Sequence, residues 1–191
     1  RRCGQGDRCA EGRRIAGRSG SLIAYRYESY DAADINRHMD TYLTHRQEWA
    51  VLDHDKPGLG ASGAALSKVF VPKLESAGDG CVLLSMPAEA VERFGAPRQL
   101  ALEFLPHDGA LQLRLSLRDK PANRMPEASF LSFTPAGAKN WLFRKMGLWH
   151  PAGSLARSGG AQLQAVNAVS GEIADVGAVV VQPLDTPLVA P

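Results

Sequence analysis

The densest run of chemistry-bearing side chains is Asp53, His54, Asp55 and Lys56. Carboxylates beside an imidazole can accept hydrogen bonds from sugar hydroxyls or contribute to a divalent-cation site. Adjacent residues in an extended loop point in different directions, so one short run seldom delivers several ligands to one point. No metal is expected here, and a turn stabilised by its Asp side chains is the plainer reading. A second candidate is Glu127, in the run RMPEASF with Arg124. As a glycosidic acid it would need a second carboxylate roughly 5–10 Å away. Its plainer role is that of an ion-pair partner or a strand-start residue. Trp141, Trp149 and His150 offer aromatic faces on which a pyranose could stack, although tryptophans in a run such as WLFRKMGLWHP usually serve a core. His38 and His45 stand seven residues apart and are expected to face solvent, as is His107 in a turn. Asp185 reads as an anchor for the terminal segment.

The elements that must position these groups are mostly strands. SLIAYRYESY (residues 21–30) reads as a strand. Asp31 then stands as an N-cap with Asp34 three residues on, and the spacing of Ile35, Met39, Tyr42 and Leu43 predicts a helix from Ala32 to Arg46. Residues 53–63 form a polar loop broken by Pro57 and glycines. Residues 66–74 and 81–86 read as two strands joined by a turn longer than two residues that contains Gly78, Asp79 and Gly80. PAEAVERFG is a short helix between Pro87 and Gly95. Leu111, Leu113, Leu115 and Leu117 alternate with Gln112, Arg114, Ser116 and Arg118, the clearest half-buried strand in the chain. Further strands are expected at 128–133, 141–146, 161–169 and 176–182. Many short strands separated by turns indicate a mainly β protein, an antiparallel β-sandwich with one or two short helices.

Composition narrows the function classes. The 191 residues suit one domain with a tail, and 45% hydrophobic with 22% charged residues is ordinary for a globular chain. No apolar run approaches the roughly 20 residues of a membrane-spanning helix, so no membrane partner is expected. The formal charge of +2 is carried by the first 20 residues, whose six arginines oppose Asp7 and Glu11. The body lacks the basic stripe of a nucleic-acid domain, so no nucleic acid is expected either. Residues 1–20 read as a flexible basic tail that need not be native, and residues 21–191 as the β-sandwich domain. Three cysteines, Cys3, Cys9 and Cys81, fit a reducing compartment, and with no signal-peptide core in view the expected location is cytoplasmic. Cys81, in an apolar run, is expected to be a small buried hydrophobe. Phosphate-loop, dinucleotide, nucleophile-elbow and zinc-protease motifs are absent, and no cofactor is implied.

Four stretches carry a resemblance: SLIAYRYESYDAADINRHMDTYL, WAVLDHDKPGL, RMPEASFLSFTP and VVVQPLDTPLVAP. They resemble the C-terminal part of an uncharacterised bacterial and fungal family related to the family 38 glycoside hydrolases, the α-mannosidases. The resemblance spans roughly residues 21–191. It implies a sandwich similar to galactose-mutarotase-like domains, accessory to an N-terminal catalytic barrel that would hold the zinc and the Asp nucleophile and is missing from this chain. The expected role is to brace that catalytic domain, through an apolar patch around Tyr25–Tyr30 and Trp49, and to contribute to a carbohydrate site. No catalytic residue is assigned. The residues expected to meet sugar are Asp53, His54, Asp55, Arg124, Glu127 and Trp149. A free-standing carbohydrate-binding module is the first rival. A mutarotase-like or lyase-like enzyme, pairing His54 or His150 with Glu127, is the second.

Overall fold

A computed structural model describes residues 22–45, 47–49, 56, 58–61, 63–154, 163–186 and 188–190. The basic tail with Cys3 and Cys9, and the run Asp53, His54 and Asp55, lie outside the described residues. The protein is mainly β, built from several antiparallel sheets and short helices, as the sandwich expectation requires. It falls into two compact units. One holds Ala24–Asn36 with the described part of 55–132, and the other holds the described part of 37–54 with Phe133–Pro191.

In the first unit, β1 (Ile23–Ser29) alternates as its sequence dictates. Tyr25, Tyr27 and Ser29 are buried, while Arg26 and Glu28 take the opposite face. It pairs with β2 (Lys68–Phe70), and β7 (Glu127–Phe133) flanks it on the other side. The predicted strand over 66–74 is in fact two strands. The chain leaves the β1 sheet after Phe70, passes Pro72, which has no N–H for a ladder, and enters a second sheet as β3 (Lys73–Gly78). β3 meets β4 (Cys81–Ser85) across a two-residue turn, shorter than the sequence suggested. Asp79 and Gly80 have φ of 51° and 74°, the left-handed pair that the tightest hairpins require. The helix α2 (Ala88–Phe94) then leads to β5 (Gln99–His107) and β6 (Ala110–Arg118), joined by a second left-handed pair, Asp108 and Gly109.

The register of this second sheet aligns its apolar residues in cross-strand rows. Leu74, Leu84, Leu100 and Leu117 form one row, and Val82, Leu102 and Leu115 belong to the next. The core unites both sheets with α2: Tyr25, Tyr27 and Phe70 pack with Met86, Ala90, Phe94 and Leu100. Coverage stops short of the rim, where Leu74 and Leu111 are more than 60% exposed.

The helix α1 (Ala32–Tyr42) starts where Asp31 predicts. The Asp31 carboxylate accepts the N–H groups of Ala33 and Asp34 at 2.9 and 3.0 Å, and Asp34 reaches back to the Asp31 N–H at 3.0 Å, a reciprocal cap. Met39 is buried, and His38 is exposed. The helix stops at Tyr42, four residues before the predicted end. The Thr41 hydroxyl bonds back to the Arg37 carbonyl at 2.8 Å, and no basic side chain in the last turn offsets the helix dipole.

The second unit centres on a four-stranded sheet in the order β12 (Gly177–Val181), β11 (Ala168–Ile173), β8 (Ala138–Lys145), β9 (Leu148–Pro151). Two short strands, β10 (Gln164–Ala165) and β13 (Leu188–Val189), pair beside it. Phe143, Ala152, Val166 and Val169 form its core, with Trp141 and Val189 against them. The hairpin β8–β9 turns on Met146 and Gly147, at φ of 50° and 86°. A bulge interrupts the β8–β11 ladder, with Asn140 left-handed at φ 51°. There the Trp141 ring lies against Gly171: a β-carbon at Gly171 would stand 2.8 Å from the indole ring.

Gly171→Ala is therefore expected to lower stability by about 1–3 kcal/mol, since backbone or ring must move to admit one methyl group. Gly153→Ala, where nothing lies within 4 Å, is the control and should change little. Urea midpoints of the two variants test this, and equal midpoints would contradict the Trp141–Gly171 contact.

Candidate functional site

The polar centre of the first unit forms around Glu127, at the first residue of β7. The Tyr27 hydroxyl donates to Glu127 Oε2, Asn123 Nδ2 donates to the same oxygen at 2.8 Å, and Lys120 Nζ donates to Oε1 at 2.6 Å. Asn123 and Tyr27 also reach the Phe94 carbonyl, the former at 2.8 Å, and so satisfy the open C-terminal end of α2. Tyr27 has one proton for its two acceptors, while the Asn123 amide has an N–H for each.

The local sequence explains how the donors arrive. Asp119, at φ 52°, turns the chain out of β6 into DKPANRMP. The Asn123 side chain then accepts the Met125 N–H at 3.0 Å, a local turn that aims its amide at Glu127. Gly95, at φ 73°, ends α2 and lets Asn123 approach; a β-carbon there would stand 3.2 Å from it.

Electrostatics follow from this cage. Burial alone would raise the Glu127 pKa, but the hydrogen bonds from Lys120, Tyr27 and Asn123 outweigh it and hold the carboxyl below its ordinary range. Burial, and then the bond to Glu127, push the Tyr27 hydroxyl well above its usual value. The group stays ionised and its acceptors are engaged. This suits a structural anchor better than a general acid, which needs a raised pKa.

The structure separates several residues that the sequence suggested together. Glu127 takes Lys120 as its cation, not Arg124; Arg124 is exposed, because the Asn123 turn carries the chain past the carboxylate before Glu127 enters β7. Tyr25 and Tyr27 lie in the core, since alternation along β1 turns them inward, so they form no surface patch, while Trp49 is exposed. Cys81 is half-buried rather than fully buried. His45, His107 and Asp185 are exposed. Of the mutarotase-like pairing of His54 or His150 with Glu127, His54 lies outside the described residues, His150 belongs to the second unit and Glu127 to the first.

Trp149 and His150 are neighbours on β9 and therefore take opposite faces of the second unit's sheet. His150 lines a shallow groove of about 290 Å³ with Phe143, Met146 and Leu148, where Lys145 Nζ donates to Gln164 Oε1 at 2.5 Å. Trp149 pairs across the hairpin with Arg144 on the other face. The Arg144 guanidinium lies 6.0 Å from the indole centre, and Trp149 remains 43% exposed. Trp141 belongs to the core side against Gly171, so the three aromatic candidates do not form one platform.

Sequence reasoning missed Tyr27, Lys120, Asn123 and Arg144 as partners in these constellations. Tyr27 carried a signal, as the central residue of an alternating strand. Lys120 and Asn123 sit among turn-forming residues whose side-chain directions depend on the Asp119 turn.

Glu127→Gln is expected to cost about 1.5–3 kcal/mol near neutral pH, because the charge-assisted bonds are lost and an amide N–H faces existing donors. A depressed folded-state pKa contributes stability that is present above the unfolded value, near 4.5, and is lost as pH falls through the folded value. The gap between wild type and variant should thus be flat above that range and narrow below it in urea titrations run against pH. Tyr27→Phe should cost about 1–2 kcal/mol and weaken the same acid limb. A gap unchanged down to strongly acid pH would refute the cage.

Comparison with known proteins adds a family and nothing on activity. Neither a curated protein nor a solved structure matches the chain. One family model matches residues 4–113, more than half of the chain, and the match ends within β6. The chain belongs to the family defined by the domain of unknown function DUF5054.

Proposed function

We propose that this chain is an accessory β-module of a glycoside-hydrolase-like protein, one that braces a catalytic domain and contributes a carbohydrate contact. The observation that carries the reading is Trp149. It is a large aromatic ring left 43% exposed on the sheet face away from the Phe143 core, beside an exposed arginine. An indole in that setting presents a flat apolar surface to a pyranose while the guanidinium supplies hydrogen-bond donors.

Two further features support it. The most prominent described candidate acid, Glu127, is committed to holding β7, β1 and the end of α2 together. In the first unit the apolar sheet face extends past its cover, leaving Leu74, Leu111 and Leu117 exposed at the rim, a surface suited to contact with a neighbouring domain. The described residues contain no helix long and apolar enough to cross a membrane. The resemblance of four sequence stretches to the relatives of the α-mannosidases supplies the substrate class.

The test has two arms. The chain alone should not hydrolyse aryl glycosides, and Glu127→Gln should leave that result unchanged. Turnover by the isolated chain that Glu127→Gln abolishes would overturn the accessory reading. In thermal-shift measurements against mannose, galactose, glucose and short oligosaccharides, a sugar at about ten times its Kd should add about 1.4 kcal/mol of stability. Trp149→Ala should remove the effect without altering the fold. A well-folded chain that responds to no sugar, neutral or acidic, would remove the carbohydrate contact.

A further inference from the structure

We propose that the open face of the sheet β12-β11-β8-β9 binds a uronic-acid glycan, with Trp149 as the stacking surface and Arg144 as the receptor for the sugar carboxylate. This deepens the reading of Trp149 as a carbohydrate contact and rests on it. The register fixes the arrangement. Arg144 lies opposite both Trp149 and Ala168, and Leu142 lies opposite both Pro151 and Ser170. These residues therefore share one face, and Ser170 extends it to Val180. The opposite face carries Phe143 and Val169 into the core.

The shared face is open in part, with Ala168 buried and Leu142 and Ser170 half-buried. Arg144, Pro151 and Trp149 are exposed, and Val180 is 59% exposed. It is also graded in chemistry. At one end Asn140 Nδ2 donates to Glu172 Oε2 at 2.7 Å, leaving acceptor capacity on Glu172 for hydroxyl groups. Leu142, Pro151 and Val180 make the middle apolar, and Arg144 with Trp149 closes the other end. From Asn140 to Arg144 the strand spans roughly 13 Å, longer than a single pyranose ring.

The charge selects the ligand. Among the described residues no carboxylate pairs with Arg144, in contrast to Lys120 and Arg26, whose ion pairs are made within the first unit. The guanidinium lies over the indole at 6.0 Å from its centre, a long cation–π contact that satisfies none of its N–H donors, so the fork retains hydrogen-bonding capacity next to the exposed ring. A sugar stacked on the ring with a carboxylate at its edge satisfies both groups at once. A planar fork suits a carboxylate better than a neutral hydroxyl. At the far end Glu172 stands opposite Lys139 in the register, so the charge there is mixed, and the glycan should present its carboxylate at the Trp149 end.

The test is a calorimetric comparison, on the full chain, of oligogalacturonate and oligomannuronate with neutral oligomers of galactose and mannose, at low and high salt. The expected result is tighter binding of the uronates, weakened by salt. Arg144→Gln should reduce uronate affinity by about tenfold or more and leave neutral sugars nearly unchanged. Arg144→Lys should restore part of the loss, and Trp149→Ala should lose both classes. Far-UV circular dichroism confirms that each variant folds. Neutral sugars binding as well as uronates, or uronate binding indifferent to Arg144→Gln, would overturn this inference while leaving the carbohydrate reading intact. Failure of every sugar to bind the folded wild type would remove both.

Discussion

One carboxylate governs the first unit. Glu127 is more than three-quarters buried, and an ion in that position is costly unless its oxygens are filled. The protein fills them from three directions, with a tyrosine from β1, an asparagine from the loop after β6 and a lysine from that same loop. Because Tyr27 and Asn123 also reach the Phe94 carbonyl, the position of Glu127 fixes where α2 ends and how its terminal peptide is satisfied. Loss of any one donor leaves a buried charge short of a partner, and such a network acts as a unit rather than as separate bonds. A second network on the outer face of β1 is local by comparison. Arg26 Nε and the Tyr30 hydroxyl reach Glu28 at 2.5 and 2.7 Å, spanning only two residues each way along the chain.

The two units solve the problem of a sheet's second face differently. The leucine rows of the first unit are laid down by alternation over four strands, and the core covers their centre but not their ends. Leu100 is fully buried while Leu74 and Leu117, in the same row, are exposed. The second unit gathers its core around Phe143 on one face and gives the other an arginine, a tryptophan, a serine and a bonded Asn–Glu pair around the apolar Leu142, Pro151 and Val180. The first pattern leaves a hydrophobic margin, and the second leaves a mixed surface of the kind that recognises polar ligands with apolar faces.

Local signals were read best. Asp31 and Asp34 cap α1 as their three-residue spacing requires, Pro87 and Gly95 bound α2, and the leucine alternation of β6 is real. The errors came where distant parts of the chain decide. Residues 66–74 look continuous, but Pro72 marks a change of sheet that only the partners of β2 and β3 reveal. Met146 and Gly147 make a tight hairpin although the dipeptide is not a usual turn signature, so the sequence indicates the strand at 141–146 but not β9 after it. Arg124 is the cation nearest Glu127 in sequence. Lys120, one residue after a left-handed Asp119, pairs with Glu127 instead because backbone direction outweighs proximity.

The placement of the charges separates structure from recognition. Where the chain uses a carboxylate inside a fold, it surrounds it with donors and lowers its pKa, which stabilises the ionised form and removes the group from proton transfer. Arg144 is placed the other way. It lies on an open sheet face beside an exposed ring, and no described carboxylate neutralises it. A buried, saturated ion contributes rigidity and little chemistry, whereas an exposed and unpaired one retains most of its capacity to bind. A module built on that division would contribute shape and contacts to a sugar site and leave bond cleavage to a catalytic partner, the role proposed for this chain.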